Sequence, residues 1–302
     1  MTCVRALSLA VLGLLSAPGA AAADTAAGSP AAIHARDDRG REVTLAAPAR
    51  RAVTLAPHAT ELVYAAGAGD YLVATIRGSD YPPAARALPV IGDGTQPDPE
   101  RVAATRPDLV IAWQPSAAAP LARVMDKLGV ALYYSDPQTL AAIPDAVERL
   151  GVLFGTEARA APAARALRAR LDALAARYAG RAPVRVFVQA GLDPLYTLNH
   201  TSIVSDALRL CGGVNVFGDA PVVAPQVGLE SVLAARPDAV LAGVSTPADT
   251  ARNLAAWRAM GLPAAQAGHV YGIDADALYR PGPRLVDAAE QLCADLDRLR
   301  QP

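Results

Sequence analysis

Hydrophobic and polar positions along this chain fall into blocks that predict strands followed by helices. The apolar runs "RAVTLAP" at 51–57 and "VRVFVQAG" at 184–191 are typical of buried parallel strands. Each precedes a stretch with helical periodicity. The first is "ELVYAAGAG", for which Thr60 is the predicted N-cap, and the second is "SIVSDALRLCGG", which ends in glycine. The pattern predicts an α/β protein built from repeated strand–helix units.

One phrase occurs twice in the chain, 130 residues apart. "ERVAATRPDLVIA" at 100–112 and "ESVLAARPDAVLA" at 230–242 are identical at eight of thirteen positions. In each, Glu begins a predicted helix and Arg-Pro-Asp ends it, because proline lacks an N–H and clashes with the preceding turn. An apolar strand follows. Two such phrases predict a duplicated α/β lobe rather than a solenoid, which needs three or more short repeats.

A single long helix is predicted at 156–180, between the two lobes. Thr156 and Gly180 are its predicted caps, and Pro162 is expected in its first turns, where a kink can form. One face carries the apolar positions Leu167, Leu171, Leu174 and Tyr178. About 24 residues at about 1.5 Å each give a rod about 36 Å long, which permits only small movements of the lobes.

The N-terminus has the pattern of a cleavable secretory signal peptide. Arg5 precedes a short apolar run that breaks at Pro18-Gly19 and leads to small residues before Asp24. The alternative, a transmembrane anchor, needs about 18 apolar residues, and no later stretch approaches that length either. The predicted organisation is a signal peptide at 1–23, a lead-in and hairpin at 24–50, an α/β lobe at 51–155, the connecting helix at 156–180 and a second α/β lobe at 181–302.

Composition and charge exclude several classes of function. The chain has 302 residues, 52% of them apolar, and a net charge of −1 with no basic block, so nucleic acid and membrane surfaces are not expected partners. No spaced His/Cys/Glu set predicts a metal site, and no nucleophile elbow or phosphate-binding glycine loop predicts an enzyme. A hydrolase built on His200 with Ser202 or Ser205 remains as an alternative, which would need an acid and an oxyanion site.

The cysteines predict one disulfide bond. Cys3 lies in the predicted signal peptide, so the exported chain keeps Cys211 and Cys293. Two thiols in an exported protein favour a bridge, and two buried free thiols are the alternative. Closing a loop of about 80 residues would stabilise the fold by about 4 kcal/mol on the chain-entropy model.

These features together resemble the helix-linked class (class III) of substrate-binding proteins that serve ABC importers, and within it the periplasmic cobalamin-binding proteins. The resemblance covers about residues 50–299. It rests on the order and spacing of the stretches "VTLAPHATELVYAAGAG", "SDYPP", "PDLVIAW", "RVFVQAG", "LCGGVNVFGD", "PQVGLESVLA" and "QLC".

The resemblance implies two doubly wound α/β lobes joined by a single long α-helix, with a ligand cleft between the lobes. It implies a monomeric periplasmic receptor that carries cobalamin or a related corrinoid to the permease of an ABC importer in the inner membrane. The corrinoid is then a transported ligand, and no cofactor or catalytic residue is expected.

The resemblance also assigns roles to individual residues. Glu100 and Glu230 match the glutamates through which each lobe docks on permease arginines, although each would also favour its own helix N-terminus through the helix dipole. Trp113, Tyr196 and Asp276 match ligand-contacting residues of the family. Core packing is the alternative for Trp113, and ordinary loop positions are the alternative for the other two.

The chain departs from the family pattern where the family has further aromatic residues. Here it has Gly78, Gly94 and Ala224, and aromatic residues make up only 5% of the sequence. Fewer rings mean less apolar contact in the cleft, so a wider or weaker site or a different corrinoid is expected. Tyr81, in "SDYPP", is a candidate to replace one of the missing rings.

A haem- or siderophore-binding protein of the same fold is the nearest rival. A haem binder would offer a Tyr or His axial ligand from the cleft. The candidates are Tyr81, His58, His200 and Tyr279.

Overall fold

The structure, a computed structural model, describes residues 32–301 together with Thr2. Apart from Thr2, the predicted signal peptide at 1–23, with Cys3, lies outside the described residues, as does the lead-in up to Ala31. Within 32–301, no helix has both the length and the apolar character needed to cross a membrane.

Strands and helices alternate along the described residues. The strands are β1 Ile33–Arg36, β2 Glu42–Leu45, β3 Ala52–Thr54, β4 Leu72–Ala74, β5 Leu109–Ala112, β6 Ala131–Tyr134, β7 Val184–Gln189, β8 Gly191–Leu192, β9 Leu195–Tyr196, β10 Gly213–Asn215, β11 Ala239–Val244 and β12 Val270–Asp274. The α-helices are α1 Pro57–Ala65, α2 Pro99–Ala104, α3 Pro115–Lys127, α4 Ala142–Phe154, α5 Glu157–Tyr178, α6 Ile203–Leu210, α7 Leu229–Ala235, α8 Pro247–Ala259, α9 Pro263–Gln266, α10 Ala275–Tyr279 and α11 Pro283–Leu299.

Two parallel four-stranded sheets with the same topology form the framework. The first sheet, of the N-terminal lobe, has the order β4-β3-β5-β6, and the second, of the C-terminal lobe, has the order β10-β7-β11-β12. When the four strands of each sheet are numbered in chain order, both sheets have the strand order 2-1-3-4. All strand pairs in these sheets are parallel, for example Val53 beside Val110 and Phe187 beside Val240. The predicted doubly wound α/β fold is confirmed.

Each sheet is covered by helices on both faces. One apolar core extends through both lobes and includes residues of α1, α4, α5, α6 and α11. Two smaller cores fill the opposite faces, one between the first sheet and α3, the other between the second sheet and α7 to α9. Strands buried on both faces explain why the sequence reads as continuous apolar runs rather than as alternating positions.

The repeated phrase forms the same structure in each lobe. Helices α2 and α7 end just before the left-handed residues Arg106 (φ 49°) and Arg236 (φ 44°), and the strands β5 and β11 follow. The aspartate of each phrase then ties its strand to the first strand of the lobe. The Asp108 carboxylate accepts the Arg51 N–H at 3.1 Å, and that of Asp238 accepts the Arg185 N–H at 2.8 Å.

The long helix α5 follows the last helix of the N-terminal lobe and precedes the first strand of the C-terminal lobe. Its 22 residues give a length of about 33 Å. Pro162 lies inside it, and Gly180, with φ 70°, follows its C-cap residue Ala179. The predicted apolar face is buried, with side chains from Leu167, Leu171, Leu174 and Tyr178. This face belongs to the core that extends through both lobes.

Two predicted helix caps were wrong. Thr60 lies inside α1, which begins three residues earlier because Pro57 suits the first helical turn. Its hydroxyl bonds those of Thr54 at 2.7 Å and Thr75 at 3.0 Å. Thr156 stands at the N-cap position of α5, but its hydroxyl donates to the Ala66 carbonyl at 2.7 Å instead of capping the helix.

The predicted hairpin and disulfide are confirmed. Strands β1 and β2 pair antiparallel, with Ala35 opposite Val43, and the turn between them includes Asp37 and Asp38. Cys211, at the end of α6, is bonded to Cys293 in α11, and both residues are fully buried.

Candidate ligand-binding site

The sheet topology locates the candidate site. In the first sheet β3 and β5 are neighbours, and in the second sheet β7 and β11 are neighbours. From the carboxyl end of one strand of each pair the chain continues to one side of the sheet, and from the other strand it continues to the opposite side. Open α/β sheets bind ligands in the crevice at this switch point. In the N-terminal lobe, His58 follows β3 and Trp113 follows β5. In the C-terminal lobe, the matching ends of β7 and β11 line a cavity of about 290 Å³ that includes Gln189, Gly191 and Ser245.

Trp113 presents its indole at the switch point of the first sheet. The residue is 40% exposed, unlike Trp257, which is fully buried in the C-terminal lobe. The indole Nε1 donates to Asp136 Oδ1 at 2.8 Å. The imidazole of His58 meets the indole edge to face, with ring centroids 5.6 Å apart.

His58 is buried and neutral. Its Nε2 donates to the Ser135 carbonyl at 3.0 Å, and burial lowers its pKa to about 4. The hydrogen bond to Ser135 and the nearby Asp136 carboxylate oppose the effect of burial without cancelling it. A side chain with this burial and this bond supports the wall of the site but does not offer a free axial nitrogen at Nε2.

The C-terminal lobe contributes an apolar rim. Tyr196 ends β9, is 37% exposed and pairs with Gln226 across a short bridge. The segment that includes Gln226 also carries Val222 and Val223, both more than half exposed, and the exposed Ala224. Exposed apolar side chains of this kind suit a ligand with apolar faces.

A cluster of charged residues joins the two lobes. Arg284 of α11 donates to Glu61 of α1 at 2.6 and 3.0 Å. Arg280 reaches Glu61 at 3.5 Å, Asp80 at 3.1 Å and Asp276 at 2.6 Å. Burial raises the pKa of Glu61, although Arg284 and Arg280 oppose this shift. Partial burial also opposes the ionisation of Asp80, but the hydrogen bond and charge of Arg280 prevail and lower its pKa.

This cluster brings two of the predicted site residues together. Tyr81, which is 42% exposed, lies under the Arg284 guanidinium at 4.4 Å from the ring centroid. Asp276, whose side chain is about half exposed, pairs with Arg280. Tyr81 belongs to the N-terminal lobe and Asp276 to the C-terminal lobe, so the two arginines link them across the lobe boundary. Trp113 and Tyr196 each lie at the rim of their own lobe.

The other candidate axial ligands are engaged in hydrogen bonds. The Tyr279 hydroxyl donates to the Gln189 carbonyl at 3.0 Å and accepts the Gly243 N–H at 3.1 Å. His200 Nδ1 lies 2.6 Å from the Gly218 carbonyl oxygen. In the part of the chain that the structure describes, no hydrogen bond occupies the Tyr81 hydroxyl.

The hydrolase alternative finds no support in these contacts. The Ser202 hydroxyl accepts the Val204 N–H at the start of α6, and the Ser205 hydroxyl donates to the Asn199 carbonyl at 2.8 Å. Both serines are therefore used to build the loop that contains His200. Within residues 32–301, no group of His, Cys, Asp and Glu side chains is arranged to hold a metal ion.

Glu100 and Glu230 occupy equivalent positions in the two lobes. Each is exposed and is the second residue of its helix, α2 or α7. Asp98 caps α2 by accepting the N–H groups of Glu100 and Arg101. The N-terminus of α2 therefore already has an anionic partner, which leaves the Glu100 carboxylate directed to solvent.

Two of the missing aromatic residues have a structural reason. Gly78 adopts φ 85°, a conformation that strains any other residue. A Cβ on Gly94 would lie 3.0 Å from the Leu55 carbonyl oxygen and 3.3 Å from Ile76 Cδ1, which is closer than ordinary contact. Ala224 is exposed and carries no such constraint.

Sequence reasoning missed the residues that support the site. It did not single out Glu61, Arg280, Arg284 or Asp136. A signal was present for the two arginines, which stand four residues apart in "YRPGPR". Arg280 follows the end of α10 and Arg284 is the second residue of α11, but only the structure shows that both reach the other lobe.

Comparison with known proteins gives consistent matches. The profile of the periplasmic binding protein family matches residues 53–277. A vitamin B12-binding protein of Vibrio cholerae is 40% identical over 253 residues, which is 82% of this chain and 90% of that protein. The crystal structure of the periplasmic vitamin B12-binding protein BtuF of Vibrio cholerae superposes with a TM-score of 0.77 at 38% identity, covering 84% of this chain and 99% of that one.

A haem-binding relative is also similar. The periplasmic haem-binding protein RhuT of Roseiflexus sp. RS-1 has a TM-score of 0.71 at 25% identity, covering 83% of this chain and 99% of that one. The family and these relatives are binding proteins rather than enzymes.

Proposed function

Because the chain belongs to the periplasmic binding protein family, we propose that it captures cobalamin or a related corrinoid and delivers it to an ABC importer. It is a binding protein, with the corrinoid as transported ligand rather than cofactor. The relatives named as vitamin B12-binding proteins, at 40% identity over most of the chain, favour this ligand over others carried by the same fold.

The observation that carries the proposal is the placement of Trp113. It lies at the switch point of the first sheet, 40% exposed, with its indole oriented by Asp136 and His58. A corrin ring has apolar faces, and an exposed, oriented indole can pack against such a face. We propose Tyr196 as the contact from the opposite lobe, and Asp276 and Tyr81 as contacts beside the charged cluster.

The proposed organisation follows from the framework. Residues 51–155 and 181–302 act as two lobes, with 156–180 as the connecting helix. Because the buried face of α5 belongs to a core shared with both lobes, closure on the ligand is small. The family name indicates the periplasm. We propose that residues 1–23 direct export as a cleaved signal peptide and that the mature protein is monomeric.

Calorimetric titration of the mature protein with cyanocobalamin, cobinamide and haemin tests the ligand. We expect micromolar or tighter binding of cyanocobalamin, weak binding of haemin, and a loss of affinity of at least about tenfold in Trp113→Ala, because a large apolar contact is removed. Trp113→Phe is the matched variant that keeps a ring. Absence of cyanocobalamin heat in the wild-type protein would refute the corrinoid proposal.

Glu100 and Glu230 are proposed to dock on arginines of the permease. The exposure of both carboxylates and their equivalent positions in the two lobes support this role. Charge-assisted pairs of this kind set orientation more than affinity. The double variant Glu100→Arg with Glu230→Arg should bind ligand normally but fail to support corrinoid uptake. Normal uptake by this variant would refute the docking role.

Haem is the second candidate ligand, because within residues 32–301 no hydrogen bond engages the Tyr81 hydroxyl, and the Tyr81 ring lies at the charged cluster, 4.4 Å from the Arg284 guanidinium. A tyrosine oxygen is one of the axial ligands that haem iron takes in proteins. If haemin binds with a shifted Soret band that Tyr81→Phe abolishes, while cyanocobalamin gives no heat, the ligand is haem and the fold and docking arguments remain.

A further inference from the structure

The orientation of Trp113 depends on one acceptor and one neighbouring ring. Its indole N–H donates to the Asp136 carboxylate at 2.8 Å, and the indole and the His58 imidazole pack edge to face. The rest of the side chain is at the surface of the site, since the residue is 40% exposed. An exposed tryptophan without such contacts would sample several rotamers, and a ligand would then have to order it on binding.

Asp136 is held in turn by the N-terminal hairpin. The backbone N–H of Asp136 donates to Asp38 Oδ2 at 2.6 Å, and the Asp38 N–H donates to the Tyr134 carbonyl at 3.0 Å. Asp38 thus binds the chain on both sides of Ser135, whose carbonyl accepts the bond from His58. The hairpin belongs to neither four-stranded sheet, yet it holds the segment that carries Asp136 and the Ser135 carbonyl to which His58 is bonded.

Asp38 is itself held in place by a side chain of helix α4. Its carboxylate is bonded to the Arg149 guanidinium of α4, and Arg149 Nε donates to the Tyr133 hydroxyl at 3.0 Å. The Asp38 side chain is only 11% exposed. A carboxylate this enclosed, with an ion pair on one oxygen and a backbone N–H on the other, has little freedom to move.

We propose that Asp136 is a positioning residue that presents the Trp113 indole to the ligand, and that Asp38 of the hairpin keeps Asp136 in place. This inference rests on the proposed function, in which the indole packs on an apolar face of the corrinoid. The hairpin at 33–45 then contributes to ligand affinity through two hydrogen bonds in series. One joins Asp38 to the Asp136 N–H, and the other joins the Asp136 carboxylate to the indole. The gain is preorganisation, because the bound rotamer is already selected in the free protein.

The test combines affinity with a signal from the indole itself. The chain has two tryptophans, so labelling with 5-fluorotryptophan gives one fluorine resonance for Trp113 and one for the buried Trp257. The variant Trp113→Phe assigns the two resonances. Asp136→Ala should shift or broaden the Trp113 resonance, leave that of Trp257 unchanged and weaken cyanocobalamin binding by roughly tenfold.

Two variants serve as controls. Asp136→Asn keeps an oxygen that can accept the indole N–H, and it should restore most of the affinity and the original fluorine resonance. Asp126→Ala removes an exposed aspartate of α3 in the same lobe and should change neither. These controls separate the loss of the acceptor from the loss of a negative charge.

Asp38→Ala tests the hairpin. It should reproduce part of both effects, and the double variant with Asp136→Ala should be no weaker in binding than Asp136→Ala alone, because the two residues act on one indole. Additive losses of affinity would overturn the link between hairpin and indole.

The proposal and the function on which it rests fail in different ways. If no variant and no wild-type protein gives heat with cyanocobalamin, the corrinoid function is wrong, while the fluorine resonance still shows whether Asp136 orients Trp113. If cyanocobalamin binds and Asp136→Ala leaves either the affinity or the Trp113 resonance unchanged, the positioning role is wrong.

Discussion

Arg284 of the C-terminal lobe donates two hydrogen bonds, of 2.6 and 3.0 Å, to the carboxylate of Glu61 in the N-terminal lobe. Glu61 is 3% exposed, so this bidentate ion pair is nearly shielded from water. Arg280 approaches the same carboxylate. One acidic side chain of α1 therefore binds two basic side chains that the last part of the chain supplies, and the lobes are tied together beside the proposed ligand cleft.

Replacing Glu61 by Gln should destabilise the protein by about 3 kcal/mol, because Arg284 loses its buried carboxylate partner and Arg280 keeps only the more exposed Asp80 and Asp276. Urea unfolding of the two proteins measures this difference. The matched control is Asp80→Asn, which removes an exposed partner of the same Arg280 and should cost less than about 1 kcal/mol. Equal losses from the two variants would mean that burial of Glu61 does not matter.

Stability should fall as the pH is lowered from about 6.5 to about 4, in part through His58. Burial lowers the pKa of folded His58 from 6.5 to about 4, so between these values the unfolded chain binds a proton that the folded chain does not. Stability therefore rises with pH in this window, and the contribution of His58 is complete above about 6.5. Its size is about 3 kcal/mol, from the shift in pKa.

The variant His58→Phe isolates this contribution, because it keeps a ring beside Trp113 but has no proton to bind. Thermal or urea unfolding of both proteins at several pH values should show a shallower decline in the variant between pH 6.5 and 4. Parallel curves would indicate that His58 titrates at its ordinary pKa. Buried carboxyl groups, such as Glu61, contribute equally to both proteins and cancel in the difference.

Reduction of the disulfide should lower stability by about 4 kcal/mol on the chain-entropy model, because the bond between Cys211 and Cys293 closes a loop with a sequence separation of 82 residues. The double variant Cys211→Ala with Cys293→Ala should match the reduced wild-type protein in urea unfolding. Corrinoid affinity should be unchanged wherever the fold persists, since both sulfurs are buried in the core. A change in affinity in the folded variant would contradict a purely structural role.

A tryptophan at position 224 should strengthen corrinoid binding. Ala224 is exposed beside Val223, so Ala224→Trp adds an apolar ring at the exposed rim. The calorimetric dissociation constant should fall several-fold because of the added apolar contact. Gly94→Trp should have the opposite effect. It should destabilise the fold, because its Cβ would meet the Leu55 carbonyl at 3.0 Å. If Ala224→Trp has no effect, that rim does not contact the ligand.

The sequence predicted the framework well because the framework follows from local patterns. The repeated Arg-Pro-Asp, the apolar runs and the face of α5 each depend on neighbouring residues, and all recur in the structure. The cap assigned to Thr60 was wrong because Pro57 begins α1 earlier, and that assigned to Thr156 was wrong because its hydroxyl bonds Ala66, a residue distant in sequence. The same reason explains why the supports of the site were not predicted.

Glu61 and Arg284 show this limit most clearly. They are 223 residues apart, and neither has a local pattern that indicates the other. Trp113 could be proposed from its place at the end of a strand, but its acceptor Asp136 and the distant Asp38 could not. Contacts between side chains of separate loops depend on the complete fold, and a single sequence carries no direct signal of them.

The core that extends through α5 and both lobes has a consequence for the rate of ligand capture. A receptor whose lobes swing freely must close before the ligand is held, and its association is slowed by that step. Here the rotation of one lobe against the other would disturb packed side chains, so we expect the free protein to keep a site close to its bound form. The association rate constant should then be set by productive encounter and be similar for different corrinoids. Differences in affinity among corrinoids should arise from their dissociation rate constants.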